Sequence, residues 1–218
     1  MRLTLYYHPL ASYCHKVLIA LYEHGIAFEG RNIDLGSAAD RAELEAVWPF
    51  TRFPVLRDHG RERDITESSS IIEYVDQLYG GAQKLLPADW EQAHDVRLWD
   101  RICDGYVHTP MQAIVFDRLT GSKGDTSKDR ATLHKAYRLL NERLATREWL
   151  AGGVFTMADC SATPSLFYAA TLEAIPADAP HLAAYYQRLM ARPSVRRVLE
   201  EAKPYFHFYP FAEALPKL

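Results

Sequence analysis

The sequence predicts a small α/β unit followed by an all-helical unit, and two observations carry that prediction. Up to residue 80, short apolar runs of strand character alternate with stretches of helical period, in the order β-α-β-α-β-β-α. Beyond Trp90 nearly every segment carries the helical period alone. Between them, Gly80-Gly81 and Leu86-Pro87-Ala88-Asp89 break both patterns. The expected organisation is therefore a first domain over residues 1–80, a linker over 81–89 and a helical domain over 90–218.

Each element has its own signal. Residues 2–7 read as a buried strand, and His8-Pro9-Leu10-Ala11-Ser12 as a turn into a helix whose Cys14, Val17, Leu18 and Leu21 share one face. Gly25 stops that helix. Residues 27–33 give a second strand and residues 39–47 a second helix, which ends before Trp48-Pro49 because the residue ahead of a proline disfavours the helical region. Pro54 lacks an N–H and has a fixed φ, so it opens a strand and leaves the backbone of Phe53 to pair with an extended ligand. Asp58-His59-Gly60 marks a hairpin turn. Thr66-Glu67-Ser68 then leads into Ile71, Ile72, Val75 and Tyr79, so a helix begins near Glu67. Its N-terminus, with unpaired N–H groups at the positive end of the dipole, suits a carboxylate.

In the second unit, Trp99, Ile102, Cys103 and Tyr106 mark one long helix that Pro110 is expected to kink, and Leu133, Tyr137, Leu140 and Leu144 mark another beyond residues 121–125. Thr156 and Asp159 form a capping box with Asp as the shorter stand-in for Glu, and Phe155 and Cys160 supply the staple. Leu182, Tyr186, Leu189 and Met190 define a further helix up to Arg192-Pro193, and Val195, Val198 and Leu199 a last short one.

Composition narrows the function. The chain has 218 residues, 48% of them hydrophobic, enough for a sizeable core. Its 25 basic and 28 acidic residues give a net charge of -3 and no basic stripe, which argues against a nucleic-acid partner. No run approaches the roughly 20 apolar residues of a membrane span, and residues 3–7 lack the pattern of a signal peptide, so no membrane partner and a cytoplasmic location are expected. Cys14, Cys103 and Cys160 are odd in number and far apart, which argues against a disulfide framework and against a metal site.

Four segments together resemble the cytosolic, bacterial-type glutathione S-transferases. They are residues 6–14 before the first helix, Trp48-Pro49-Phe50-Thr51-Arg52-Phe53-Pro54-Val55-Leu56, Ile65-Thr66-Glu67-Ser68-Ser69-Ser70-Ile71, and the Thr156–Asp159 box. The resemblance covers essentially the whole chain and implies a thioredoxin-like first domain, an all-α second domain, glutathione as co-substrate and a homodimer. It also implies a cis peptide before Pro54, a backbone pairing of Phe53 with the cysteinyl part of glutathione, and a hold on the γ-glutamyl end by Glu67 and Ser68. Arg52 falls near the place of a family residue that meets the glycyl carboxylate. The chemistry agrees, since the γ-glutamyl end carries an ammonium that Glu67 can meet and a carboxylate suited to Ser68 and its amide.

The implied reaction needs the glutathione thiolate, yet a free thiol has a pKa of about 8.5. Lowering it by two units requires about 2.7 kcal/mol. A hydroxyl bonded to a charged acceptor contributes roughly 1.5–3 kcal/mol and a helix N-terminus roughly 0.3–1 kcal/mol, so one hydroxyl at the first helix suffices. Ser12 is the leading candidate, Tyr7 the second and Cys14 the third, with a helix cap, a packed aromatic and core packing as their respective structural roles. The chain departs from its relatives here, because the usual catalytic Ser position falls on Ala11. On the electrophile side, Tyr106, His108, Met111 and Phe116 surround Pro110, and the aromatic tail 205–211, with Phe208 at its middle, is expected to close over an apolar co-substrate. Conjugation to such an electrophile is the expected activity. A glutathione-dependent isomerase, dehalogenase or peroxidase, or a non-catalytic ligand-binding member, are the alternatives.

Overall fold

The computed structural model describes residues 2–216, which divide into two compact units, one up to Leu85 and one from Leu86. In the first unit, strand β1 (Leu3–Tyr7) is followed by helix α1 (Ser12–Glu23), β2 (Glu29–Asn32), α2 (Ala38–Val47), β3 (Val55–Asp58), β4 (Arg63–Thr66) and α3 (Ser68–Tyr79). This is the predicted order, and it makes a sheet of order β2-β1-β3-β4 in which β1 and β2 are parallel and the other pairs antiparallel.

Strand alternation divides the core. Tyr6 packs with Ile33, Leu44, Val55, Val47, Trp48 and Phe53 on the side of α2. The buried Leu3 and Leu5 face the other way and leave that side to α1 and α3, which pack on each other. The hairpin is fastened to α3 through the buried Asp58, whose carboxylate accepts the Tyr74 hydroxyl at 2.9 Å, the Tyr79 hydroxyl, and the Gly60 amide at 2.9 Å. These donors hold the Asp58 carboxyl below its ordinary range, although burial alone would raise it.

Part of the expected linker is tied to the first unit. The Leu85 amide donates to Asp76 Oδ1 at 2.7 Å, and Lys84 donates to the carbonyls of Asp76 and Gly80.

The second unit contains α4 (Trp90–Ile102), α5 (Thr109–Thr120), α6 (Ser127–Leu144), α7 (Met157–Ala169), α8 (Pro180–Ala191) and α9 (Pro193–Ala202). The single kinked helix expected around Pro110 is instead α4 and α5 joined by a π-helical segment, Cys103–His108. Pro110 sits in the first turn of α5, where a missing N–H costs least, and the carbonyl four residues before it belongs to Tyr106 in the widened segment. The widening therefore lies ahead of the proline, with helical backbone on both sides of it. The capping box of α7 forms, and the wholly buried α7 runs through the middle of the unit. A 3-10 turn, Lys203–Phe208, carries the aromatic tail. No helix among the described residues is long and apolar enough to cross a membrane, and no group of potential metal ligands is found among them.

Candidate active site

Strand register brings the first-unit segments together. Tyr6 lies opposite Val55, and Val55 opposite Thr66. The residues just beyond these pairs, Tyr7 at the end of β1 with His8 after it, Phe53-Pro54 before β3, and Glu67-Ser68 after β4, therefore meet at one end of the sheet. The Phe53-Pro54 peptide is cis. Phe53 stands outside the ladder, and the His8 ring stacks on it with centroids 6.2 Å apart and planes inclined by 21°.

The start of α3 is open. Glu67 occupies the cap position at φ 65° and ψ 119°, no side chain caps the helix, and its first turn holds no acidic residue. A non-glycine residue at positive φ costs about 1–3 kcal/mol, so the fold keeps Glu67 there against a backbone penalty. Its carboxylate is exposed and makes no hydrogen bond or ion pair among the described residues, while Ser68 is buried at the first helical position. Beneath this turn lies Lys16, wholly buried in α1, whose ammonium donates to the Ser69 hydroxyl at 2.8 Å. A buried cation and a helix N-terminus at one point favour an anion there.

The three candidates at the first turn separate by position. Ala11, at φ -79° and ψ 120°, is the cap residue of α1, and its carbonyl accepts the amides of Cys14 and His15. Ser12 is thus not the cap that its bland role required. It is the first residue of the helix proper and is buried. The Tyr7 ring lies back across β2, with Cε1 3.0 Å and the hydroxyl 3.3 Å from where a Cβ on Gly30 would stand. Gly30 pairs with Leu5, two residues before Tyr7, so the phenol is directed away from the turn. Cys14 has no exposed surface, and burial pushes its thiol up to about 12, which removes it as a thiolate nucleophile. Arg52 is exposed beside Phe53 and makes no ion pair among the described residues.

In the second unit, Tyr106 and Phe208 are 58% and 63% exposed. His108 and Met111, expected beside them, are buried at 0% and 2% exposure. The tail is also less free than its composition suggests. Phe206 stacks on Phe167, Tyr209 packs on Tyr168 and bonds Thr171 at 2.8 Å, and Arg118 lies 4.1 Å over the Phe211 ring. Sequence reasoning passed over His8 and Lys16. The one available signal was a lysine on the apolar side of α1, next to Val17.

Comparison with known proteins agrees with this geometry. Residues 5–83 match the family model of the glutathione S-transferase N-terminal domain, and residues 101–193 that of the C-terminal domain. Glutathione S-transferase F10 of Arabidopsis thaliana is 28% identical over 91% of this chain and 96% of its own length. Glutathione S-transferase GstB of Escherichia coli K12 is 28% identical over 84% and 91%. Among solved structures, a delta-class glutathione transferase of Nilaparvata lugens superposes with a TM-score of 0.85 at 22% identity, covering 97% of this chain and 99% of that one. A glutathione-bound glutathione S-transferase from Methylobacillus flagellatus gives 0.76 at 22% identity, covering 90% and 98%. The chain is a member of the glutathione S-transferase family of enzymes.

Proposed function

We propose that the protein conjugates the glutathione thiolate to an apolar electrophile by nucleophilic substitution or addition. The observation that carries this is the meeting, at one sheet end, of the Phe53-Pro54 backbone with the open, uncapped start of α3. That pairing offers an extended edge for a peptide and, beside it, a free carboxylate and an anion-seeking helix end. Glutathione has the matching parts: a cysteinyl amide for Phe53, an ammonium for Glu67 and a carboxylate for Ser68 and its amide. Arg52 meets the glycyl carboxylate. Ser12 donates its hydroxyl to the thiolate, aided by the N-terminus of α1. Tyr106 and Phe208 contact the electrophile. The working form is a cytoplasmic homodimer.

The test is steady-state kinetics with a generic aryl halide. Ser12→Ala should lower kcat by about 10²–10³-fold while the glutathione KM stays within about threefold, since the bond strengthens as charge develops. A surviving kcat in Ser12→Ala with its loss in Tyr7→Phe would reverse the assignment. A second reading, a ligand-binding member without turnover, is favoured by one observation: a methyl group, that of Ala11, occupies the cap of α1. Retention on immobilised glutathione with no product from any electrophile would support it.

A further inference from the structure

His8 is the side chain that ties the first turn to the loop before Pro54. Its carbonyl accepts the Ala11 amide at 3.0 Å, its Nδ1 accepts the Leu10 amide at 3.2 Å, and its ring lies on Phe53. An imidazole nitrogen that accepts an N–H carries no proton, so the bond to Leu10 belongs to the neutral ring with its hydrogen on Nε2. Protonation would set an Nδ1–H against the Leu10 N–H.

We infer that His8 is a positioning residue of the glutathione site, whose protonation releases the Leu10 amide, loosens the turn over residues 8–12 and its stack on Phe53, and weakens glutathione binding in acid. This rests on the reading that the cysteinyl part of glutathione lies between that turn and Phe53.

The surrounding charges set the direction. Burial, the larger influence, lowers the His8 pKa, and the Asp34 carboxylate in the loop after β2 partly opposes it. The Cys14 thiol, which the His8 amide approaches, is neutral at working pH, and Arg52 beside Phe53 is exposed. The neutral, bonded ring is therefore present above the depressed pKa and lost as pH falls through it, on the acid side of the usual imidazole value of about 6.5.

The experiment titrates the full-length protein with S-methylglutathione, which has no ionisable thiol, by calorimetry between about pH 5 and pH 8. For the wild type, Kd should weaken by about tenfold for each pH unit below the His8 pKa, as the competent fraction shrinks. His8→Asn offers an oxygen to the Leu10 amide without titrating, and should stay flat over that range. His8→Phe keeps a stacking ring but no acceptor, and should bind more weakly at every pH with no acid limb. A wild-type acid limb persisting in His8→Asn overturns the inference alone. Absence of binding at every pH overturns the site reading and this role with it. Imidazole nitrogen NMR of the wild type supplies a ligand-free check that needs no variant to fold: the Nε2–H tautomer is expected, and the Nδ1–H tautomer overturns the proposal.

Discussion

Helices α3 and α7 begin in opposite ways. At α7, the wholly buried Asp159 carboxylate accepts four donors: the Thr156 amide at 2.8 Å, the Thr156 hydroxyl at 3.0 Å, the Leu150 amide at 3.1 Å and the Tyr185 hydroxyl at 2.6 Å. Burial pushes this carboxyl up while the donors pull it down. At α3, the cap residue Glu67 points an unpaired carboxylate to solvent from a strained backbone, and no side chain reaches back to the helix amides. The same local chemistry is satisfied internally in one place and left open in the other. A closed start serves the fold, whereas the open start, on the function proposed above, serves a ligand at a cost in stability.

The largest test of that contrast is Asp159→Ala. It strands the Tyr185 hydroxyl and the Leu150 amide and should cost about 3–5 kcal/mol in urea unfolding, with glutathione binding of the folded fraction unchanged. A loss below about 1 kcal/mol would show that the closed start is not a structural necessity. Glu67→Gly should move two quantities in opposite directions. Relief of the positive φ should raise ligand-free stability by about 1 kcal/mol, while loss of a charged partner weakens glutathione binding by about 10–100-fold. If stability falls instead, glycine does not relieve the strain and the start of α3 is not held against a backbone penalty.

Two smaller substitutions sharpen the first turn. Cys14→Ala should cost about 1–2 kcal/mol through lost packing and leave kcat intact. Because the thiol is held at about 12, native Cys14 should resist alkylation at neutral and mildly alkaline pH and react once the protein unfolds. Rapid native alkylation would contradict its burial. Tyr7→Phe should change kcat by less than about twofold, since the ring lies over Gly30 of β2.

Most of the architecture was legible in the sequence because it rests on local signals. Period-2 and period-3.6 patterns gave the element order, Gly25 and Gly121 ended helices with φ of 61° and 66°, and Thr156 with Asp159 announced α7. The π-helical segment was not legible, since Cys103–His108 carries an ordinary helical pattern and its widening depends on fitting Pro110. At the candidate site, Phe53, Pro54, Glu67 and Ser68 stood out because proline and a helix start have local signatures. His8 and Lys16 did not, because Phe53 and Ser69, their partners, lie in other segments of the chain and contacts of that kind leave no spacing to read. The burial of His108 and Met111 escaped notice for a related reason: an apolar stripe does not say which of its members reach the surface.

The Asp76 carboxylate at the end of α3 accepts His24 Nε2 at 2.8 Å as well as the Leu85 amide, and Gly80 permits the close approach, since a Cβ there would stand 2.5 Å from the Asp76 carbonyl and 2.9 Å from the His24 ring. One oxygen thus clamps the C-terminal ends of α1 and α3 to the strand of chain that leaves the unit. In native-state hydrogen exchange, the last-turn amides of both helices and that of Leu85 should open together with a single free energy, rather than fraying independently as helix ends ordinarily do. Asp76→Asn would keep the acceptor and the common opening, and Asp76→Ala would split it into separate events.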